Sequence, residues 1–222
     1  MKTRVFILCA GVDNDAGTIR KELLKISGEE IIRRTIRLFK AYEPDCEIFI
    51  VTQHKEIKNN VKELNDNKNF FINPVKRRYP LETMLSTQDE WVDKNIIVYG
   101  DVVFSSDAVR KMLSVENKLC FFGRRSRAKY TRRRAREVYG MLIPLDRKEQ
   151  TIRDTLEAID KSSGEFKGRI KRLANYITGK KINSPKFKRK FVVDINDATD
   201  DIDTMGGYKK YVRDIVDTGL LT

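Results

Sequence analysis

The sequence predicts an α/β fold with a mostly parallel central sheet and helices on both of its faces. Two observations support this. Short apolar runs rich in β-branched and aromatic residues alternate along the chain with segments whose apolar residues recur at helical spacing. Several of these runs end in glycine or a small polar residue. In a parallel sheet the carboxyl ends of such strands line a ligand crevice.

The elements follow in a regular order. Apolar runs predict strands at residues 5–9, 46–52, 70–72, 96–99, 119–122, 138–143 and 191–195. Helical spacing predicts helices at 29–42, 57–64, 81–85 with an extension to Trp91, 106–113 and 207–218. We expect the strand at 119–122 to lie beside the strand at 96–99.

The whole chain, residues 1–222, suits a single domain. Residues 145–183 are mostly helical in pattern and very polar. They predict either a helical insertion that closes over substrate or an arm used for dimerisation. The sequence does not indicate the oligomeric state.

Charge and cysteine content narrow the class of protein. A formal charge of +13 favours an anionic partner such as a nucleotide, a phosphorylated sugar, a nucleic acid or an acidic surface. The three cysteines lie in or beside apolar runs without paired spacing, which indicates thiols in a reducing compartment. The lone His54 cannot build a metal cluster. We see no signal peptide and no membrane span, so we expect a cytoplasmic protein without a membrane partner.

The first apolar run leads into a candidate phosphate site. It stops at Ala10-Gly11, and Gly11 lets a backbone approach a phosphate where a side chain would obstruct it. Lys21 follows, where a point charge could meet the same phosphates, and a helix comes next. A strand, a loop, a lysine and a helix in this order predict a nucleotide site at the end of a parallel sheet.

These residues resemble the signature of the nucleotidyltransferases of sugar-nucleotide metabolism. The resemblance rests on residues 8–11 and 21–32, on Val98-Tyr99-Gly100-Asp101, and on Asp201-Ile202-Asp203-Thr204 near the C-terminus. It departs from the family pattern in the loop at 11–20, where acidic residues stand and Arg20 replaces proline, and at 205–207.

The resemblance implies a GT-A-like fold and an Mg²⁺-dependent transfer of a nucleotide from an NTP to a phosphorylated, sugar-like acceptor. It implies catalytic roles for Lys21, Asp101 and Asp203. It implies that Asp101, with Asp201 or Asp203, holds the metal ion. The residues implied to contact the nucleotide are Leu8, Ala10, Gly11, Lys21, Thr83, Ser86 and Gly100. Helix capping explains the hydroxyls of Thr83 and Ser86 nearly as well.

Residues 124–136 contain many cations and no acid. They predict an anion clamp over a phosphorylated acceptor, a patch for nucleic acid on which Tyr130 could stack, or a solvated loop. Glu137 then resembles the part of the acceptor site where a carboxylate grips sugar hydroxyls.

Two other functions remain open from the sequence. In a glycosyltransferase of similar fold, residues 201–203 would be the metal motif, although that motif normally follows a strand in mid-chain. A basic nucleic-acid-binding protein on a degenerate nucleotidyltransferase scaffold would account for the altered loop and the +13 charge. The base of the NTP and the identity of the acceptor are not indicated.

Overall fold

A seven-stranded sheet is the centre of the computed structural model, which describes residues 1–11, 20–64, 69–76, 78–125, 137–164, 167–184 and 191–221. The strands are β1 Thr3–Leu8, β2 Lys25–Ile26, β3 Glu29–Glu30, β4 Glu47–Val51, β5 Asn69–Ile72, β6 Lys94–Tyr99, β7 Val102–Val103, β8 Cys120–Gly123, β9 Val138–Pro144, β10 Val192–Asp194 and β11 Asp200–Asp201. The helices are α1 Ile31–Tyr42, α2 Lys55–Val61, α3 Pro80–Leu85, α4 Ser106–Ser114, α5 Lys148–Lys161, α6 Ile170–Ile177 and α7 Met205–Tyr211.

The strand order is β10-β8-β9-β6-β1-β4-β5, and every neighbouring pair is parallel except the two that involve β9. The predicted mostly parallel sheet is therefore confirmed. The expectation that the strand at 119–122 lies beside the strand at 96–99 is wrong, because β9 separates β8 from β6. Gly140 allows this close approach, since a Cβ there would lie 2.2 Å from the Ile97 carbonyl oxygen.

Apolar side chains of β1 alternate between two cores, as the strand period requires. Val5 and Ile7 pack under α1, α2 and α4 on one face. Phe6 and Leu8 pack under α3, α5 and α6 on the other. The helices of residues 145–183 thus contribute to the layer that covers this second face. Helices on both faces confirm the predicted fold class.

Several element boundaries differ from the predicted ones. Helix α1 begins at Ile31, because Glu29–Glu30 pairs with Lys25–Ile26 as a short antiparallel ladder. Trp91 is buried but lies outside α3, after a separate 3₁₀ turn. Helix α7 begins earlier than predicted, at Met205, because the Thr204 hydroxyl accepts a hydrogen bond from the Gly207 N–H at 3.0 Å.

A third, smaller core joins the two ends of the chain. Ile202 and Tyr211 from the C-terminal part pack with Leu24 and Ile26, which follow the first loop. All three cysteines are buried thiols, as the sequence predicts. Among the residues that the structure describes, no helix is long and apolar enough to cross a membrane.

Candidate active site

The predicted site residues gather at the edge of the sheet where the parallel strands end. Strand β1 ends at Leu8 and leads to Ala10 and Gly11, and the neighbouring β6 ends at Tyr99 and leads to Asp101. Because β1 and β6 are parallel and paired, the two segments leave the sheet side by side. This is the edge at which open α/β sheets bind ligands.

The C-terminal acidic segment reaches the same place by pairing with the chain just after Asp101. Strand β11 pairs antiparallel with β7, and the Ile202 N–H donates to the Asp101 carbonyl oxygen at 3.1 Å. Asp200 and Ile202 are buried, whereas Asp201 is half-buried and Asp203 is exposed. The alternation directs Asp201 and Asp203 to the side opposite the core.

The electrostatics of Asp101 identify the charges around it. Burial raises the pKa of its carboxyl group above the ordinary value, and the Asp203 carboxylate raises the pKa further. The cations of Lys21 and Arg169 act in the opposite direction. Lys21 belongs to a 3₁₀ turn, Lys21–Leu23, that follows the first loop. The structure therefore brings Lys21, Asp101 and Asp203, which are far apart in sequence, into one electrostatic environment.

The donor set fits a hard divalent cation. Asp101 and Asp203 would hold Mg²⁺, which needs only one or two carboxylates when phosphate oxygens and water complete its coordination. A bound cation would also offset the Asp203 carboxylate, which adds to the effect of burial in raising the pKa of Asp101. Within the described part of the chain, no group of three or more histidine, cysteine or acidic side chains is placed to hold a metal ion.

Arg20 closes the base of the loop that the sequence assigns to phosphate. Its Nε donates to Glu56 Oε1 at 2.9 Å, and its Nη1 donates to the Gly11 carbonyl oxygen at 3.3 Å. A Cβ built at Gly11 meets no described atom within 4 Å. Residues 12–19, including Asp13 and Asp15, lie outside the described residues. The arginine that replaces proline therefore has a local role, which is to tie the loop to α2.

A backbone hydrogen bond joins Leu8, at the end of β1, to Gly100, directly after β6. The Gly100 N–H donates to the Leu8 carbonyl oxygen at 3.0 Å. A Cβ at Gly100 would lie 2.3 Å from Cys9 Sγ and 3.2 Å from Glu22 Cγ. Glycine is thus required here for the close approach of β1 and β6, whatever its contact with a nucleotide.

Residues 5–161 match the MobA-like NTP transferase domain. The chain belongs to this family. It is therefore a nucleotidyltransferase. No curated protein sequence matches the chain.

Several solved structures have a similar fold. The 4-diphosphocytidyl-2C-methyl-D-erythritol synthase from Anaerococcus prevotii has a TM-score of 0.64 at 11% identity, over 96% of this chain and 95% of that one. HddC from Yersinia pseudotuberculosis, complexed with GMP-PN, has a TM-score of 0.59 at 16% identity, over 96% and 99%. A nucleotidyl transferase from Methanothermobacter has a TM-score of 0.57 at 13% identity, over 80% and 83%. At these identities the similarity shows the fold.

The hydroxyls of Thr83 and Ser86 form hydrogen bonds with nearby backbone groups of this NTP transferase domain. Thr83 is buried in α3 and its Oγ1 donates to the Tyr79 carbonyl oxygen at 3.4 Å. Ser86 Oγ donates to the Glu82 carbonyl oxygen at 3.2 Å and accepts from the Val75 N–H at 3.2 Å. Both hydroxyls thus bond to the preceding turn, and neither caps the helix N-terminus. Their assignment to the nucleotide stays a prediction.

Two cations near the site were missed from the sequence. Arg169 precedes α6 and lowers the pKa of Asp101, and Lys171 lies close enough to lower the pKa of Glu137, which burial raises. The Ile170 N–H donates to the Tyr99 hydroxyl at 3.0 Å, which fixes the start of α6 against the end of β6. Helical periodicity predicted α6 but could not show which strand end it meets.

The cationic segment after β8 differs at its start from the predicted clamp or solvated loop. Arg124 is fully buried, and its Nη1 forms an ion pair with Asp200 Oδ1 at 3.2 Å, so it is unsuited to bind an acceptor directly. The Arg125 N–H donates to Asp194 Oδ1 at 2.8 Å. Residues 126–136, with Tyr130 and Arg132-Arg133-Arg134, lie outside the described residues.

Proposed function

We propose that the chain transfers a nucleotidyl group from an NTP to a phosphorylated, sugar-like acceptor, with Mg²⁺, and releases pyrophosphate. The observation that carries the proposal is the pairing of β11 with β7, which sets Asp203 beside Asp101. The names of the structural neighbours, one for a diphosphocytidyl compound and one bound to GMP-PN, agree with use of a nucleotide.

The chemistry needs few reacting groups from the protein. An oxygen of the acceptor phosphate attacks the α-phosphorus of the NTP, a new P–O bond forms, and the bond to the departing pyrophosphate breaks. A phosphate is already ionised near neutral pH, so the reaction requires no histidine base. Alignment of the reactants and stabilisation of charge supply most of the rate.

Each part of the site has a role in this scheme. Asp101 and Asp203 would hold Mg²⁺, which would supply positive charge to neutralise the phosphates. Lys21 offers a positive charge to the oxygens on which charge develops. The backbone at Gly11 approaches the phosphates closely because no side chain intervenes.

The acceptor would bind on the side of Glu137. Its carboxylate can accept hydrogen bonds from sugar hydroxyls, and the neighbouring Lys171 and Arg169 offer charge to the acceptor phosphate. Arg132, Arg133 and Arg134 recognise the same phosphate in this proposal. Membership of the NTP transferase family favours nucleotidyl transfer over glycosyl transfer.

The test is a pyrophosphate assay with each of the four NTPs, a panel of sugar phosphates and Mg²⁺. We expect one NTP and one class of acceptor to release pyrophosphate together. Asp203→Ala should lower the rate by about 10²-fold or more, as removal of one electrostatic stabiliser does. Asp146→Ala is the matched control, because Asp146 is an exposed aspartate after the far end of β9.

The results of this assay distinguish between the possible metal ligands and between the two proposed functions. Full activity in Asp203→Ala would transfer the metal role to Asp201 or refute the two-carboxylate site. Absence of pyrophosphate with every NTP and acceptor, together with salt-dependent binding of DNA or RNA, would favour the nucleic-acid-binding alternative.

A further inference from the structure

A buried ion pair lies directly beneath the acidic segment. The side chains of Arg124 and Asp200 are 1% and 2% exposed, and Arg124 Nη1 lies 3.2 Å from Asp200 Oδ1. The same Nη1 donates to the Tyr139 hydroxyl at 2.8 Å, and that hydroxyl donates to the Thr199 carbonyl oxygen at 3.1 Å. Arg124, which follows β8, thus contacts the Asp200 side chain of β11 directly and the Thr199 backbone through the Tyr139 hydroxyl.

Such a pair is weak evidence for stability. Removing two charges from water costs several kcal/mol per ion, and an apolar pair of similar volume is often as stable. Buried ion pairs can instead specify one arrangement of the chain over its alternatives. By this reasoning, Arg124 would exclude alternative arrangements of the chain near Asp200.

The alternative arrangements are those in which the acidic segment, residues 197–203, pairs with β7 in a different strand register. Residues 197–203 contain four aspartates, at 197, 200, 201 and 203. Among the described residues, the two-residue β11 pairs with the two-residue β7, and so short a ladder specifies its register weakly. A slip of one residue would reverse which side chains face the core.

We infer that Arg124 is a positioning residue that sets the register of β11 by drawing Asp200 inward, so that Asp203 faces Asp101. Ile202, buried on the same side as Asp200, supports this register. The inference rests on the proposed function for its catalytic consequence. Its structural part, the register of residues 200–203, can be tested without any activity.

Other contacts hold the segment on both sides of Asp200, and one of them is the hydrogen bond at 3.1 Å from the Ile202 N–H to the Asp101 carbonyl oxygen. Ser105 Oγ donates to Asp197 Oδ2 at 2.8 Å, and the Ser105 N–H donates to Thr199 Oγ1 at 3.0 Å. These bonds fix residues 197–199 to the start of α4. Asp200 is the next residue, and it is the one that Arg124 holds at the entrance to β11.

The variants are Arg124→Met, which removes the charge at similar length, Arg124→Lys, which keeps a charge, and Asp200→Asn. The control is Arg4→Met. Arg4 is partly buried and bonds to Glu47 at 2.6 Å, so its loss removes an ion pair at the opposite edge of the sheet. Hydrogen–deuterium exchange of peptides that cover residues 198–204 is measured on each full-length protein.

We expect Arg124→Met to speed exchange in 198–204 by about 10-fold or more, because the β11 ladder opens more readily. Arg124→Lys should recover most of the protection, and Arg4→Met should leave this segment unchanged. Unchanged exchange in Arg124→Met would overturn the inference. If Arg124→Met does not fold, Asp200→Asn decides in the same way: faster exchange confined to 198–204 supports the inference, and wild-type exchange overturns it.

Kinetics test the catalytic consequence separately. We expect the Mg²⁺ concentration for half-maximal rate to rise about 10-fold or more in Arg124→Met, as when partners of metal ligands are lost. kcat should fall by up to about 10²-fold while the KM for NTP changes little, because the carboxylates are displaced. If exchange in residues 198–204 is faster but the kinetics are unchanged, the proposed metal role of this segment is refuted. If exchange is the same as in the wild type, the proposed role of Arg124 in setting the register is refuted.

Discussion

The contact between Gly100 and Cys9 allows the packing beneath the site to be tested by unfolding alone. A Cβ at Gly100 would lie 2.3 Å from Cys9 Sγ, 3.1 Å from the Leu8 carbonyl oxygen and 3.2 Å from Glu22 Cγ. Carbon atoms do not approach sulfur this closely, so something must shift in Gly100→Ala. Because β1 and β6 are paired in register through Leu8, the strands have little freedom to separate.

We expect Gly100→Ala to lower the free energy of unfolding by about 1–3 kcal/mol, the usual cost of overpacking a core. In a chain of this length each kcal/mol corresponds to about 2–4 °C in Tm. Cys9→Ala removes the sulfur and should cost about 1 kcal/mol by itself. In the double variant the new methyl group occupies space that the sulfur has left, so the two costs should not add.

The assay is urea unfolding of the wild type, both single variants and the double variant, with equal m-values as a condition. We expect the double variant to be more stable than additivity predicts by about 1 kcal/mol or more. Rescue should be incomplete, because the Leu8 carbonyl oxygen stays close. Gly206→Ala is the control: its Cβ meets only Thr204 Oγ1 at 3.9 Å, so alanine in α7 should stabilise by about 0.5–1 kcal/mol. Additive costs, or a Gly100→Ala variant as stable as wild type, would refute the reasoning.

Three further predictions concern single side chains or charge clusters. Lys21→Ala should lower kcat more than it raises the KM for NTP in steady-state assays, since its charge serves the transition state best; a change in KM alone would make it a binding residue. Neutralising residues 132–134 should raise the KM for acceptor far more than that for NTP and flatten its salt dependence; unchanged kinetics and unchanged nucleic-acid affinity would leave the segment a solvated surface. Burial opposes ionisation of Glu47, but hydrogen bonds from Lys2 and Arg4 outweigh it and lower the pKa of its carboxyl group. Glu47→Gln should therefore cost about 0.5–1 kcal/mol in denaturant unfolding at pH 7, and the difference should vanish as pH falls through the lowered folded pKa; a difference that persists there would contradict the assignment.

The sequence predicted the layers of the fold better than the order of the strands. Apolar runs and helical spacing indicate which side chains are buried, and the two hydrophobic cores confirm this prediction of burial. They carry no information on which strand lies beside which. The insertion of β9 between β6 and β8 depends on a close approach at Gly140, a tertiary contact that periodicity does not encode.

The sequence indicates candidate site residues where they carry a family pattern, and it gives no indication of a role that depends on a distant partner. Asp101 and Asp203 were expected from the resemblance, and the structure brings them together. From the sequence, Arg124 belongs to a cationic segment that predicts an anion clamp, a nucleic-acid patch or a solvated loop, and each of these would leave its charge accessible. Its burial depends on Asp200, which is 76 residues away in sequence.

The signs of the charges at the site favour a metal–nucleotide complex over a bare anion. Asp101 and Asp203 repel each other and would repel a triphosphate, although the chain as a whole carries a charge of +13. Burial is the largest cause of the raised pKa of Asp101, and the Lys21 cation lowers that pKa more than the Asp203 carboxylate raises it. A divalent cation between the carboxylates would change the local sign and let phosphate oxygens approach. In the proposed reaction, a metal ion held by the carboxylates and the Lys21 cation would therefore both offset the charge of the phosphates.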